Sequence, residues 1–252
     1  MFQEGVDLND DDLALRIMHI SPHQYPIISP PKVEDFSETY RSLLNEASDI
    51  ISLHVSSRLS DTVQNARIAA DEFRGRCNIT VLDSQTVALG LNVLVRKITT
   101  HAWNGTSAED IVRKTRGMLK HIYGAFVAED LQYMAHSGCL RPAQATLGKM
   151  LGVIPFLTIE EGEIVAIEKV RSQERALEKL AEFAAEFEHP EELAIVQMTS
   201  APNEKTTSLM SMLRMMFPRL NDIPLRNCGA TVGSIIGPSG IGVMIYEGGD
   251  GL

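Results

Sequence analysis

The first half of the chain alternates short, almost wholly apolar runs with longer stretches of helical spacing. Ile50-Ile51-Ser52-Leu53-His54-Val55 is one such run and Ile79 to Leu82 is another; runs of this kind suit strands covered on both faces. Between them Val63, Ala66, Ala70 and Phe73 recur on one helical face, and helical stretches follow from Val87 to about Thr100 and from Ala108 to Lys120. Upstream, Asn9 reads as the cap of a first helix. Asp10, Asp11 and Asp12 favour the positive end of its dipole, and Leu13, Ile17 and Ile20 share a face. The segment Ser21 to Pro31 carries four prolines and is expected to be irregular. A helix from Lys32 follows, with Val33, Phe36, Tyr40, Leu43 and Ala47 at helical spacing. This β-α-β-α alternation predicts a parallel sheet with flanking helices.

The second half reads differently. Tyr123 to Ala128 is a strand and Leu140 to Leu151 a helix. Ile154 to Ile159 and Ile164 to Val170 are two runs joined by Glu160-Glu161-Gly162-Glu163, a hairpin signal. Ser172 caps a periodic helix (Leu177, Leu180, Phe183, Phe187) that is expected to stop at His189-Pro190. Leu193 to Thr199, a helix containing Leu209, Leu213 and Met216, and two Gly-rich strands complete the pattern. The fold class is therefore α/β with two domains: residues 1–120 around a parallel sheet, and residues 121–252 around a mixed sheet.

Composition excludes several functions. A net charge of -10 repels phosphate backbones, and no basic run offsets it, so nucleic acid and anionic membrane are poor partners. Cys77, Cys139 and Cys228 lie far apart with no CxxC pair, which fits reduced thiols in a cytoplasm. No apolar stretch approaches the ~20 residues of a membrane helix. Met1 to Gly5 lacks the basic-then-apolar order of a signal peptide.

Catalytic and cofactor motifs are missing as well. There is no GxxxxGK[ST] loop. Gly237-Pro238-Ser239-Gly240-Ile241-Gly242 lacks the third glycine of a dinucleotide loop and the final glycine of a nucleophile elbow. Pro22 separates His19 from His23, which argues for solvated loop histidines rather than metal ligands. His54, inside a buried strand, reads as a hydrogen-bonded core histidine rather than a base. No metal site and no cofactor are expected.

One ordered set of segments carries a resemblance. Glu4-Gly5-Val6-Asp7-Leu8, Ser56-Ser57-Arg58-Leu59-Ser60-Asp61-Thr62, Val81-Leu82-Asp83-Ser84 and Leu89-Gly90-Leu91 come first. Ile154-Pro155-Phe156-Leu157 with Gly162-Glu163-Ile164, Lys169-Val170-Arg171 and Gly233 through Gly242 follow. In order and separation they are similar to the DegV family, nearly end to end. The resemblance implies two α/β domains with a long-chain, palmitate-like fatty acid held between them. It also implies presentation of that acid to a fatty acid kinase, with no catalysis by the carrier itself. The family normally starts with a strand and a TDS turn ahead of the Glu4–Leu8 segment, and this chain begins after them. The Met-rich helix Met210 to Met216 reads as adaptable core packing, or as the wall of a lipid tunnel.

In the family a threonine of a TSQP-like loop, a serine of an SSxLSGT turn and a histidine of a GTHxGPGA loop converge on the carboxylate. A buried carboxylate costs several kcal/mol unless donors replace its water. Here the serine matches as Ser60, with Ser57 and Thr62 also kept. The glycine is replaced by Asp61. The threonine aligns with Ile28, next to Ser29, and the histidine with Ile235, next to Ser234. Asp61 either faces the ligand or caps the helix that begins at Thr62. An arginine usual near residue 139 is Cys139, with Arg141 two positions on, while Arg171 is kept as a candidate partner contact.

Four readings follow: a fatty-acid carrier; a DegV-fold protein for a neutral or different apolar ligand, favoured by Ile28 and Ile235; an enzyme akin to dihydroxyacetone kinases, which would need a histidine for covalent attachment where Ile235 stands; and an interaction protein with an empty cleft.

Overall fold

A computed structural model describes residues 7, 10–18, 25–220 and 222–248. Asn9, His19, Ile20, His23 and most of the Glu4–Leu8 segment lie outside the described residues. The described chain forms two compact units. The smaller comprises Ser29–His121 with Glu161–Glu163; the larger comprises the described residues through Ile28, Ile122–Glu160 and Ile164–Gly248.

In the smaller unit, strands β1 (Asp49–His54) and β2 (Asn78–Asp83) pair in parallel, from Asp49 opposite Asn78 to His54 opposite Asp83. Helix α2 (Val33–Leu43) packs on α3 (Thr62–Asp71). Tyr40, Ile50, Ala69 and Phe73 form a buried core there, with Val33, Phe36, Leu43 and Ile79 against it. Apart from Ala69, these are positions that the helical and strand spacings mark as inward; Ala70, which the spacing marks instead, is only partly buried. Helices α4 (Ala88–Trp103) and α5 (Ala108–Met118) complete the unit, α5 starting at Ser107, whose hydroxyl accepts from Asp110 N at 3.1 Å.

The larger unit holds α1 (Asp10–Met18) and a six-stranded mixed sheet. Its strands are β3 (Ile122–Val127), β4 (Ile154–Glu160), β5 (Glu163–Val170), β6 (Glu192–Gln197), β7 (Leu225–Asn227) and β8 (Ile241–Tyr246), in the order β5-β4-β3-β8-β6-β7. β8 runs antiparallel to both β3 and β6, and β7 runs parallel to β6. All six residues of β8 are buried, as a central strand covered on both faces requires. On one face, α8 (Gln173–Ala185) and α9 (Glu204–Met216) supply Leu177, Leu180, Leu209 and Leu213 to a core shared with Val127, Phe156, Ile195 and Val243. Ser172 caps α8 as its sequence predicts, its hydroxyl accepting from Arg175 N at 3.2 Å. Met210 and Met212 pack against this core, and Met215 and Met216 are exposed.

The α/β class, with one parallel and one mixed sheet, is the one the pattern predicts. Three local expectations are corrected. Helix α8 ends at Ala185, ahead of His189-Pro190. A short helix, α6 (Leu131–His136), follows β3; Asp130 starts it by accepting from Gln132 N at 3.1 Å, and α7 (Pro142–Met150) comes next. The Gly-rich end holds a helix besides its two strands: Gly229–Ile236 is α10, between β7 and β8. Glycine disfavours helix and β-branched residues favour strand, and tertiary packing overrides that preference. Gly233 lets α10 approach the Met198 side chain, where any Cβ would stand within 3 Å of it.

Candidate functional site

The chain between β1 and α3 is a hydroxyl-rich turn, and its geometry follows from Ser56. That side chain is fully buried. Its N–H donates to Thr86 O at 3.0 Å, its carbonyl accepts from Leu59 N and Ser60 N, and its hydroxyl donates to Gly162 O at 2.6 Å. Gly162 is the tip of the β4–β5 hairpin, where Glu161 and Gly162 both have positive φ, the signature of a type I′ turn. Asp83 closes the turn from the end of β2, accepting from the N–H and the hydroxyl of Ser57.

Ser60 and Thr62 face each other at 2.7 Å between hydroxyl oxygens, and Ser60 Oγ also accepts from Thr62 N at 3.3 Å. Two hydroxyls that share one hydrogen bond keep one O–H proton to donate elsewhere. The half-buried Ser60 thus sits at the start of a ten-residue helix with a donor to spare. Asp61 occupies the N-cap position, but its side chain makes no capping bond and is exposed; Ser60 does the capping instead. Asn65 of α3 donates to Pro31 O at 2.7 Å, which ties the segment carrying the exposed Ser29 to this helix.

His54 ends β1 just before the turn. Its Nε2 lies 2.6 Å from Ser52 Oγ, which in turn lies 2.8 Å from Tyr40 OH, and the Phe36 ring meets the imidazole edge-on. Burial holds the imidazole pKa below its ordinary value. The three groups form one hydrogen-bonded chain, in which the neutral imidazole donates or accepts at Nε2 according to its tautomer. The histidine is hydrogen-bonded, as the sequence suggests, but it is half-buried at the end of its strand rather than inside a buried one.

The larger unit carries the other residues of the expected set. Ile28 is 39% exposed in an irregular segment anchored by Tyr25, whose ring stacks on His136 at 3.7 Å and meets Tyr133 edge-on at 5.0 Å. Ile235 is only 5% exposed within α10, and Ser234 donates to Thr231 O at 2.8 Å inside the same helix. The turn after α10 is held by Lys205, which pairs with Glu129 at 2.7 Å and donates to Ser239 O at 2.9 Å. Arg171 is exposed at the end of β5. Arg141 starts α7, its N–H bonded to the Gln144 side chain at 3.0 Å, and Cys139 is half-buried.

Ser57, Ser60, Asp61 and Thr62 are therefore brought together in one turn, with Ser29 in the same unit; Ile28, Ser234 and Ile235 belong to the larger unit. Asp83 and Thr86 were not among the expected site residues. Asp83 stands in the Val81-Leu82-Asp83-Ser84 segment, and a half-buried carboxylate at the end of a strand has to find donors. Among the described residues no group of three or more His, Cys, Asp or Glu side chains could hold a metal, and no helix is long and apolar enough to cross a membrane.

These features define a mixed α/β binding fold with a serine turn at a helix start. A model of the DegV family, described as uncharacterised proteins, matches residues 1–248, and the chain belongs to that family. A DegV domain-containing protein of Deinococcus radiodurans is 30% identical over 247 residues, covering 97% of this chain and 86% of the relative. One from Streptomyces coelicolor is 30% identical over 244 residues, covering 96% and 85%. Among solved structures, a fatty acid binding DegV family protein from Streptococcus agalactiae superposes with a TM-score of 0.84 at 24% identity, covering 97% of this chain and 86% of that one. A DegV family protein from Thermus thermophilus, described by its fatty acid binding, gives 0.79 at 28% identity, covering 96% and 86%.

Proposed function

We propose that the protein is a non-catalytic, cytoplasmic lipid carrier that holds one palmitate-like fatty acid and presents it to a fatty acid kinase. The observation that carries this reading is the Ser60–Thr62 pair, with one spare O–H at the N-terminus of α3. A hydroxyl at the positive end of a helix dipole is a site for an oxygen acceptor bearing negative charge. Membership in a family whose Thermus thermophilus member is described by its fatty acid binding supports the choice of ligand. Arg171, exposed and cationic in a chain of net charge -10, is the residue proposed to meet the kinase.

A second reading, a neutral or weakly polar lipid, is favoured by Ile235. The position matched to the family's histidine is a buried aliphatic side chain, and Asp61 adds a carboxylate beside Ser60. Native mass spectrometry of gently purified protein separates the two. A co-purified mass equal to a free fatty acid, with delipidated protein rebinding palmitate far better than methyl palmitate, supports the first. A retained ester or alcohol with no such preference supports the second. Retention of neither, with no rebinding, defeats both.

A further inference from the structure

We propose that Asp83 is the positioning residue of the ligand turn, acting through Ser57, so that Ser57 shapes the turn and leaves hydrogen-bond donation to the Ser60–Thr62 pair. This rests on the lipid-binding reading of that turn.

The half-buried Asp83 carboxylate receives three hydrogen bonds. Oδ1 accepts from Ser57 N at 3.2 Å and from Gln85 N at 2.9 Å, and Oδ2 accepts from the Ser57 hydroxyl. A serine has one O–H proton, and here it is committed to a carboxylate, so the hydroxyl that Ser57 shows to anything else is an acceptor only. A ligand carboxylate gains nothing from it. Ser60 and Thr62 spend one proton on each other and retain one. The donor offered to a head group therefore comes from residues 60 and 62.

The loop that Asp83 begins is itself held under strain. Among the described residues three non-glycine residues have positive φ, and two of them, Gln85 at 50° and Ala88 at 47°, lie within five positions of Asp83. Such conformations are strained for residues with a Cβ and persist where their surroundings over-determine them. Here the surroundings are specific. The left-handed turn at Gln85 aims its N–H at Asp83 and carries Thr86 O to Ser56 N. Ser84 adds a bond from its hydroxyl to Thr86 O at 3.1 Å and one from its N–H to His54 O. One carboxylate thus couples the loop after β2 to the turn after β1, and the strain of the first is held by the same group that shapes the second.

The test is a double-mutant cycle on delipidated full-length chain, with palmitate as the probe. Asp83→Asn keeps the size and loses the charge; Ser57→Ala removes one exposed hydroxyl. Each change is expected to weaken palmitate binding about 10-fold, and the double variant to be no weaker than Asp83→Asn within about 2-fold, because both remove the same constraint. Losses that multiply would overturn the proposal, as would unchanged affinity in both variants. Amide exchange is read in parallel: the Ser57 and Gln85 N–H groups should exchange about 10-fold faster in Asp83→Asn while the β-strand amides keep their protection. Should Asp83→Asn not fold, Ser57→Ala alone decides, and wild-type affinity in it sinks the idea. Wild-type protein that fails to bind palmitate counts against the lipid reading. The positioning role then stands or falls on the two amides.

Discussion

Ser60 and Asp61 are neighbours with opposite effects on a bound carboxylate. Ser60 offers a charge-assisted donor at a helix start, so Ser60→Ala is expected to cost ~1–3 kcal/mol of palmitate binding, read by calorimetric titration. It should also lower the unfolding temperature slightly, since Ser60 Oγ caps α3 through Thr62 N. Asp61 makes no capping bond, so Asp61→Gly is expected to change stability by only a few tenths of a kcal/mol. If its carboxylate lies close to the ligand's, the same change tightens binding of the free acid and leaves the methyl ester unaffected. A large drop in thermal stability would show that Asp61 is structural after all. Sequence named both residues correctly as turn residues. Which of them caps the helix was a matter of a few ångströms in side-chain placement, and two adjacent polar residues at a helix start look alike in one dimension.

Between elements, the Tyr40–Ser52–His54 chain links α2 to β1. Protonation makes both imidazole nitrogens donors, so Ser52 Oγ must then accept from Nε2, and the half-buried site must hold a charge. Around His54 the groups to count are Tyr40 and Phe36 from α2, Ser52 on its own strand, and Asp83 in register on β2. Because burial lowers the folded pKa below the ordinary 6.5, the unfolded chain takes up the proton first as the pH falls. The stabilisation from neutral His54 is complete above about pH 6.5 and is lost as the pH falls from there through the lower folded value. Thermal melts from pH 7.5 to 5 should show the wild type losing stability more steeply than His54→Gln; parallel curves would refute the relay. The hairpin tip makes a second element-scale prediction. Gly162 has φ near +84°, and a Cβ there would meet the Ser56 hydroxyl and sit 3.1 Å from Gln85 Cα. Gly162→Ala should therefore destabilise by roughly 1–3 kcal/mol, measured by urea denaturation.

For the whole molecule, Ile28 and Ile235 come from opposite ends of the sequence and fall in the same unit. Ile28→Thr together with Ile235→His adds donors at the two positions matched to the family's threonine and histidine. Preference for palmitate over methyl palmitate should rise, at the expense of a lower unfolding temperature, because a polar ring replaces a buried aliphatic side chain. Wild-type protein that already prefers the free acid strongly would remove the case for an altered ligand.

By itself the sequence determined the fold class, the helix faces, the Ser172 cap, the β4–β5 hairpin and the serine turn. Each rests on local periodicity or on residues fewer than five positions apart, where one-dimensional spacing fixes three-dimensional direction. The tertiary structure alone decided the rest. Gly229–Ile236 is a helix against its own composition, packed where Gly233 admits Met198, and a contact between residues 35 positions apart leaves no local trace. Asp83 reaches Ser57 across 26 residues, and Ser56 reaches Gly162 across 106. Which hydroxyl still has a proton to give depends on those long-range partners, and so the chemistry of the turn had to be read from the folded chain.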